Sequence, residues 1–212
     1  LVHNFGHDAE MILDRFAEAA IQAGIPPTAD FNAGDNLGVS PFEVNQKRGL
    51  RWSSARGFLD PVRSRPNLSI VTGALSDRLV VDGRRVTGIE VLHGDERRVA
   101  HARIETILAA GSIGSPAVLQ RSGIGDPALL AELGIPVVHA LTGVGRNLQD
   151  HLQLRSVYRV QGIRTLNQSA NSPWGRAMMG LEFLLLRRGP LTMAPSQLGL
   201  FAFSDAREQT PD

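Results

Sequence analysis

Apolar positions recur at helical spacing near the start of the chain, where Ile12, Leu13, Phe16, Ala20 and Ala23 share one face. This predicts an amphipathic helix over residues 8–23. Asp8 serves as its N-cap, Glu10 complements its positive end, Gly24 ends it and Pro26-Pro27 seal the stop. Residues 30–50, with glycines at 34, 38 and 49, read as an irregular segment held by tertiary contacts. The period then changes to two. A strand is expected at Leu68–Val71, and an antiparallel meander at Leu79–Val81, Val86–Leu92 and Arg97–Ala102. Its turns fall at Asp82-Gly83 and His93-Gly94-Asp95.

Four consecutive apolar residues, Ile107 to Ala110, suit a strand buried on both faces. Ser115 is expected to cap the next helix, with Pro116 at its first position and a glycine turn at its end. A shorter helix follows at 127–133, bounded by Asp126 as cap, Pro127 and Gly134. Pro136–Val138 reads as a brief edge strand. After residue 150 the texture changes: Leu152–Val160 alternates like a strand, Asn167–Ser172 reads as loop and 174–186 as helix. The last stretch, 189–212, offers few periodic cues.

Composition adds exclusions. The 212 residues suffice for one or two domains, and 42% hydrophobic with 20% charged residues is ordinary for a globular chain. A net charge of +1 implies no nucleic acid or acidic membrane as partner. Without cysteine there is no disulfide, thiolate nucleophile or cysteine-based zinc site, which is compatible with a reducing compartment; a cytoplasmic location is expected. No apolar run reaches the roughly 20 residues of a membrane span. Leu181–Leu186 is far shorter and runs into Arg187-Arg188. The chain opens on Leu1 rather than Met, and further sequence is expected ahead of it.

Chemistry concentrates at 107–125, a strand, a small-residue loop and a helix ending in glycine. Gly111 and Gly114 lack a Cβ and let the backbone approach another group closely. Such strand-to-helix junctions are where open α/β sheets bind nucleotides. The run Gly111-Ser112-x-x-Ser115-Pro116-x-Val118-Leu119-x-x-Ser122-Gly123-Ile124-Gly125 resembles the second signature of the glucose–methanol–choline (GMC) oxidoreductases. Arg65-Pro66-Asn67-Leu68 with Val71-Thr72-Gly73, and Gly143-Val144-Gly145-Arg146-Asn147-Leu148-Gln149-Asp150-His151, resemble that family in order and spacing. So do Asp30-Phe31-Asn32, the Gln46…Gly49-x-Arg51-x-Ser53 pattern, Gly189-Pro190-Leu191-Thr192 and Gly199-x-Phe201.

The resemblance implies an internal fragment of an FAD-dependent enzyme, akin to choline and alcohol dehydrogenases, that oxidises an alcohol by hydride transfer to flavin. The implied fold class is α/β of mixed type. It comprises a partial Rossmann-type FAD-binding domain with an antiparallel meander and part of a substrate-binding domain. Residues 51–142 would form the second half of the FAD-binding domain. Residues 1–50 and 143–212 would be parts of the substrate domain. A small-molecule alcohol is the implied partner, with a retained partner fragment or a homo-oligomer open alongside.

Flavin enzymes of this type open with Gly-x-Gly-x-x-Gly after a first strand. The nearest match here, Gly123-Ile124-Gly125-x-x-Ala128, follows a helix and is rejected as a pyrophosphate site. That loop is expected ahead of Leu1. The cofactor contacts implied for this chain are the backbone near Ser76 for adenine, Ala110 and Gly111 along adenosine, and Asn147, Asp150 and His151 near the flavin. No catalytic residue is expected within the chain, because the family's base is a His near the C-terminus, beyond Asp212. The fragment alone is therefore expected to be inactive. Asp150 and His151 are read as shaping their loop rather than as an acid–base pair.

Gln153 stands two places after His151, where choline-oxidising relatives carry Glu, and Gln197 likewise replaces a Glu. A neutral amide forfeits most of the attraction to a trimethylammonium group, so a neutral alcohol is expected as substrate. The rival reading is a non-catalytic binding or structural module that kept part of a flavoprotein fold. His3 and His7 could chelate a metal, but no third ligand is suggested. Asn67-Leu-Ser69 and Asn167-Gln-Ser169 match the glycosylation acceptor only by a short pattern. Trp52 and Trp174 read as packing residues.

Overall fold

The computed structural model describes residues 7–163, 165–194, 196–205 and 207–211, with side chains from residue 11 onward. Its elements, in chain order, begin with α1 (His7–Gln22), β1 (Gly38–Pro41), β2 (Gln46–Lys47) and β3 (Leu50–Arg51). Then come β4 (Ala74–Asp82), β5 (Arg85–His93), β6 (Glu96–His101), α2 (Gly111–Arg121), β7 (Ile124–Gly125), α3 (Pro127–Glu132) and β8 (His139–Ala140). The chain ends with α4 (Leu166–Ala170), α5 (Pro173–Leu186) and β9 (Leu198–Phe201). It divides into two compact units: residues 1–65 with 157–212, and residues 66–156.

In the first unit β1 and β9 pair antiparallel, Gly38 opposite Phe201 and Pro41 opposite Leu198. Phe31 packs against Phe42 and edge-on to Phe201, with ring centroids 5.6 and 5.0 Å apart. Helix α1 ends where expected, Gly24 taking φ +94° beyond its last turn. Two expectations for it change. Asp8 lies inside the helix, and its side chain, like that of His7 and all of His3, is outside the described residues. The inward face carries Leu13, Ala17 and Ala20, whereas Ile12, Phe16 and Ala23 are exposed. The two apolar stripes on this helix lie about one residue step apart, and periodicity alone does not choose between them.

Residues 30–50 are irregular apart from β1 and the β2–β3 hairpin, whose Arg48-Gly49 turn has positive φ at both positions. Residues 167–170, expected as loop, instead lie in α4, because Gln168 Oε1 accepts the backbone N–H of Thr165 (3.1 Å) and closes the first turn. Helix α5 begins at Pro173, one residue ahead of the expected 174, with Ser172 accepting from Gly175 N–H (3.3 Å) and Pro173 at its first position. Trp174 is exposed on it rather than packed.

The second unit holds the meander β4-β5-β6, joined by two-residue turns. Gly83 and Gly94 take positive φ while Arg84 and Asp95 do not, the signature of type II′ turns. Helix α2 lies along the free edge of β4. The short parallel pair β7–β8 and helix α3 complete the unit, with Leu79, Val118 and Leu130 buried. Gly123 is required at the end of α2: its φ is +78°, and a Cβ there would overlap the Pro136 carbonyl.

Four expectations are corrected in residues 66–156 and just beyond. Leu68–Val71 is not a strand, since pairing with β5 begins at Ala74. Ile107–Ala110 forms no strand, Ala110 taking φ −88° and ψ 12°, and Ile107 is 80% exposed; an apolar run supplies no ladder partner by itself. The parallel pairing falls on His139–Ala140 rather than Pro136–Val138, because Val138 N–H is taken by the Gly123 carbonyl (2.8 Å) in the turn before β7. Leu152–Val160 alternates without forming a strand.

Candidate functional site: the α2 junction and the loop before residue 153

Helix α2 starts five residues earlier than its punctuation predicts. Ala110 occupies the cap position, and Ser115 sits within the helix, its Oγ accepting the Ala110 backbone N–H (3.0 Å). Pro116 lies inside the helix rather than at its first position. The serine thus closes the first turn from within, which a local reading as N-cap cannot distinguish.

Ala109, Ala110, Gly111 and Ser112 form an exposed, small-residue surface at the N-terminus of α2. Gly111 has φ +81°, and no heavy atom lies within 4 Å of where a Cβ would stand. The space is open, and any side chain at this residue would enter it in a strained backbone conformation. Helix N-termini present unpaired N–H groups to polar or anionic atoms.

Ser76 lies in β4 opposite Val91, and its carbonyl accepts from the Arg121 guanidinium (3.0 Å). Asn147 holds a left-handed backbone, φ +57°, at the end of a loop fixed from two sides. Gln120 Nε2 donates to the Val144 carbonyl (3.3 Å), and Arg146 donates to the Asp126 carboxylate. Asp126 also caps α3 by accepting from Ala128 N–H (3.0 Å). The Arg146 hydrogen bond, with the Ala128 N–H second, holds the Asp126 carboxyl below the usual carboxylate range. The Asp150 carboxylate accepts the backbone N–H of His151 (2.8 Å). His151 and Gln153 are exposed.

All seven expected positions fall within residues 66–156. What local reading missed is the set of side chains that holds them: Gln120, Arg121, Ser122, Asp126 and Arg146. Asp126 was legible as a cap, but its second role, toward a residue 20 positions later, was not. Among the described residues no group of His, Asp and Glu could hold a metal, and no helix is long and apolar enough to cross a membrane.

The solved structures that resemble this chain include several oxidoreductases. An FAD-dependent oxidoreductase from Chaetomium thermophilum superposes with a TM-score of 0.79 at 28% identity, over 94% of this chain and 35% of its own. A fungal aryl-alcohol oxidase gives 0.77 at 28% identity, over 89% and 33%. The fold class is thus a mixed α/β one containing a partial FAD-binding domain. The profile of GMC oxidoreductase matches residues 2–153. The oxygen-dependent choline dehydrogenase of Burkholderia pseudomallei is 46% identical over 175 residues, 82% of this chain and 31% of that protein. The chain belongs to the GMC oxidoreductase family, and FAD is the cofactor this membership assigns. It spans about a third of the length of the curated relatives it matches.

Proposed function

We propose that this chain is the part of an FAD-dependent alcohol oxidoreductase that carries the second half of the FAD-binding domain, within residues 51–142. Residues 1–50 and 143–212 are then parts of its substrate domain. The observation that carries the reading is the open, Cβ-free surface at Gly111, which heads both helix α2 and the run that resembles the family signature. FAD, when bound, supplies the hydride acceptor for oxidation of the alcohol carbon. Ala110 and Gly111 give the adenosine half close access to backbone, and Ser76 offers main-chain groups to adenine. Asn147, Asp150 and His151 shape the segment facing the flavin. No residue of this chain is proposed as the base that takes the hydroxyl proton.

The substrate on this reading is a small neutral alcohol rather than choline, although the relatives in Burkholderia are named for choline. Gln153 supports it: an uncharged amide two residues beyond His151 offers a cation little attraction. The full-length protein is therefore expected to turn over neutral primary alcohols with higher kcat/KM than choline, and Gln153→Glu to shift the ratio toward choline by about tenfold. A wild type that prefers choline sinks the neutral-alcohol reading. Purified full-length protein without stoichiometric flavin absorption, even after FAD is added, sinks the enzyme reading as a whole.

A further inference from the structure

The β4 edge of the meander is clasped by the end of α2. Ser76 pairs with Val91 and Arg78 with Glu90, so Asp77 is an extra residue bulged out of β4. In a regular strand successive carbonyls point to opposite sides. Here the carbonyls of both Ser76 and Asp77 reach one guanidinium: Arg121 Nη2 lies 3.0 Å from the first and Nε 2.8 Å from the second. The next residue completes the attachment. Ser122 Oγ accepts the buried Leu79 N–H (2.8 Å) and donates to the Val118 carbonyl (2.6 Å). The Asp77 carboxylate is in turn held by Arg97 (2.7 Å), on the far side of the same bulge. The Arg121 donors go to main-chain oxygens, and Asp77 Oδ1 balances its charge at 3.5 Å.

From this geometry we infer that Arg121 is a positioning residue for the adenosine half of FAD: it fixes the β4 bulge and so aims the main-chain groups of Ser76. The inference rests on the proposed role of Ser76. Arg121 acts through the strand, its donors going to the Ser76 and Asp77 carbonyls. A guanidinium suits the task because its planar fork spans two acceptors at once, which an ammonium cannot do with fixed geometry.

The test compares FAD with FMN, which lacks the adenosine, by flavin fluorescence on the full-length apoprotein. Arg121→Met is expected to raise the Kd for FAD about tenfold and leave that for FMN unchanged. Arg121→Lys, which keeps the charge and one donor direction, is expected to raise the FAD Kd about threefold. It decides the matter if the Met variant does not fold. Arg97→Met, which loosens the same carboxylate without touching a carbonyl, is expected to leave both values unchanged. Equal weakening of FAD and FMN by the Arg121 variants, or no weakening of either, overturns the inference while leaving Ser76 in place. A wild type that holds FAD no tighter than FMN overturns both together.

Discussion

Residues 118–130 and residues 152–160 are comparably rich in apolar side chains, and they meet opposite fates. In the first stretch Val118 and Leu130 are buried, Leu130 completely, and Ser122 ties the helix end to β4. In the second, Leu152, Leu154, Val157 and Tyr158 all stand in solvent, and no strand forms. The difference does not lie in hydrophobicity. The first stretch is punctuated by residues that make it turn back on itself. Gly123 admits the Pro136 carbonyl, Asp126 starts α3, and the Gly123 and Gly125 carbonyls receive the N–H groups of Val138 and Leu141. The second stretch alternates apolar and polar residues over a length without a glycine or proline. Alternation sorts side chains onto two sides; it names no partner strand.

The contrast can be broken at its strongest point first. Leu130→Ala leaves a cavity in the only large side chain found fully buried among the described residues. It is expected to cost about 2–5 kcal/mol, read as a lower urea midpoint for the 212-residue chain. An unchanged midpoint would mean that α3 does not contribute to a cooperative core. A smaller effect is expected from acid. Because the Arg146 bond lowers the folded pKa of Asp126, the carboxylate stabilises the fold above its unfolded pKa, and that stabilisation fades as pH falls toward the folded one. Asp126→Asn should therefore flatten the fall in Tm on acidification without reversing it. The same slope in variant and wild type would separate Asp126 from the acid response.

The smallest effect belongs to the exposed stretch. Leu154→Ala removes a side chain that touches mainly water, and a change within about 0.5 kcal/mol is expected in the same titration. A larger loss would show that residues 152–160 are packed in solution.

Parts of this molecule could be read without tertiary structure, and the reasons are local. The hairpin turns at Gly83 and Gly94 and the caps at Asp126 and Ser172 depend on residues two or three positions away. So does the end of α1 at Gly24. Motifs of that kind are complete within a short window, and the signature at 111–125 is dense in them. The start of α2 was misread because Ser115 has two nearly equivalent uses. It can cap a helix beginning after it, or close from inside one that began earlier. The candidate site was legible as positions, through likeness to a family, but not as a set of contacts. Arg121 reaches back 44 and 45 residues to the β4 carbonyls, and nothing in the helix pattern marks an exposed arginine as a clasp.

The sequence by itself determined the ends of α1 and α2, the start of α3 and the two hairpin reversals, together with the chemistry available at each turn. It also carries family membership, since the family model matches residues 2–153. Tertiary structure alone decided pairing and burial. It joined β1 to β9 from opposite ends of the chain, turned Phe16 outward and Ala17 inward on α1, and left Ile107 without a ladder. The physical reason is that a turn or a cap is satisfied by neighbours that are always within reach. A strand edge or an apolar face is satisfied only by whatever distant segment closes against it, at an entropic cost that no local pattern records.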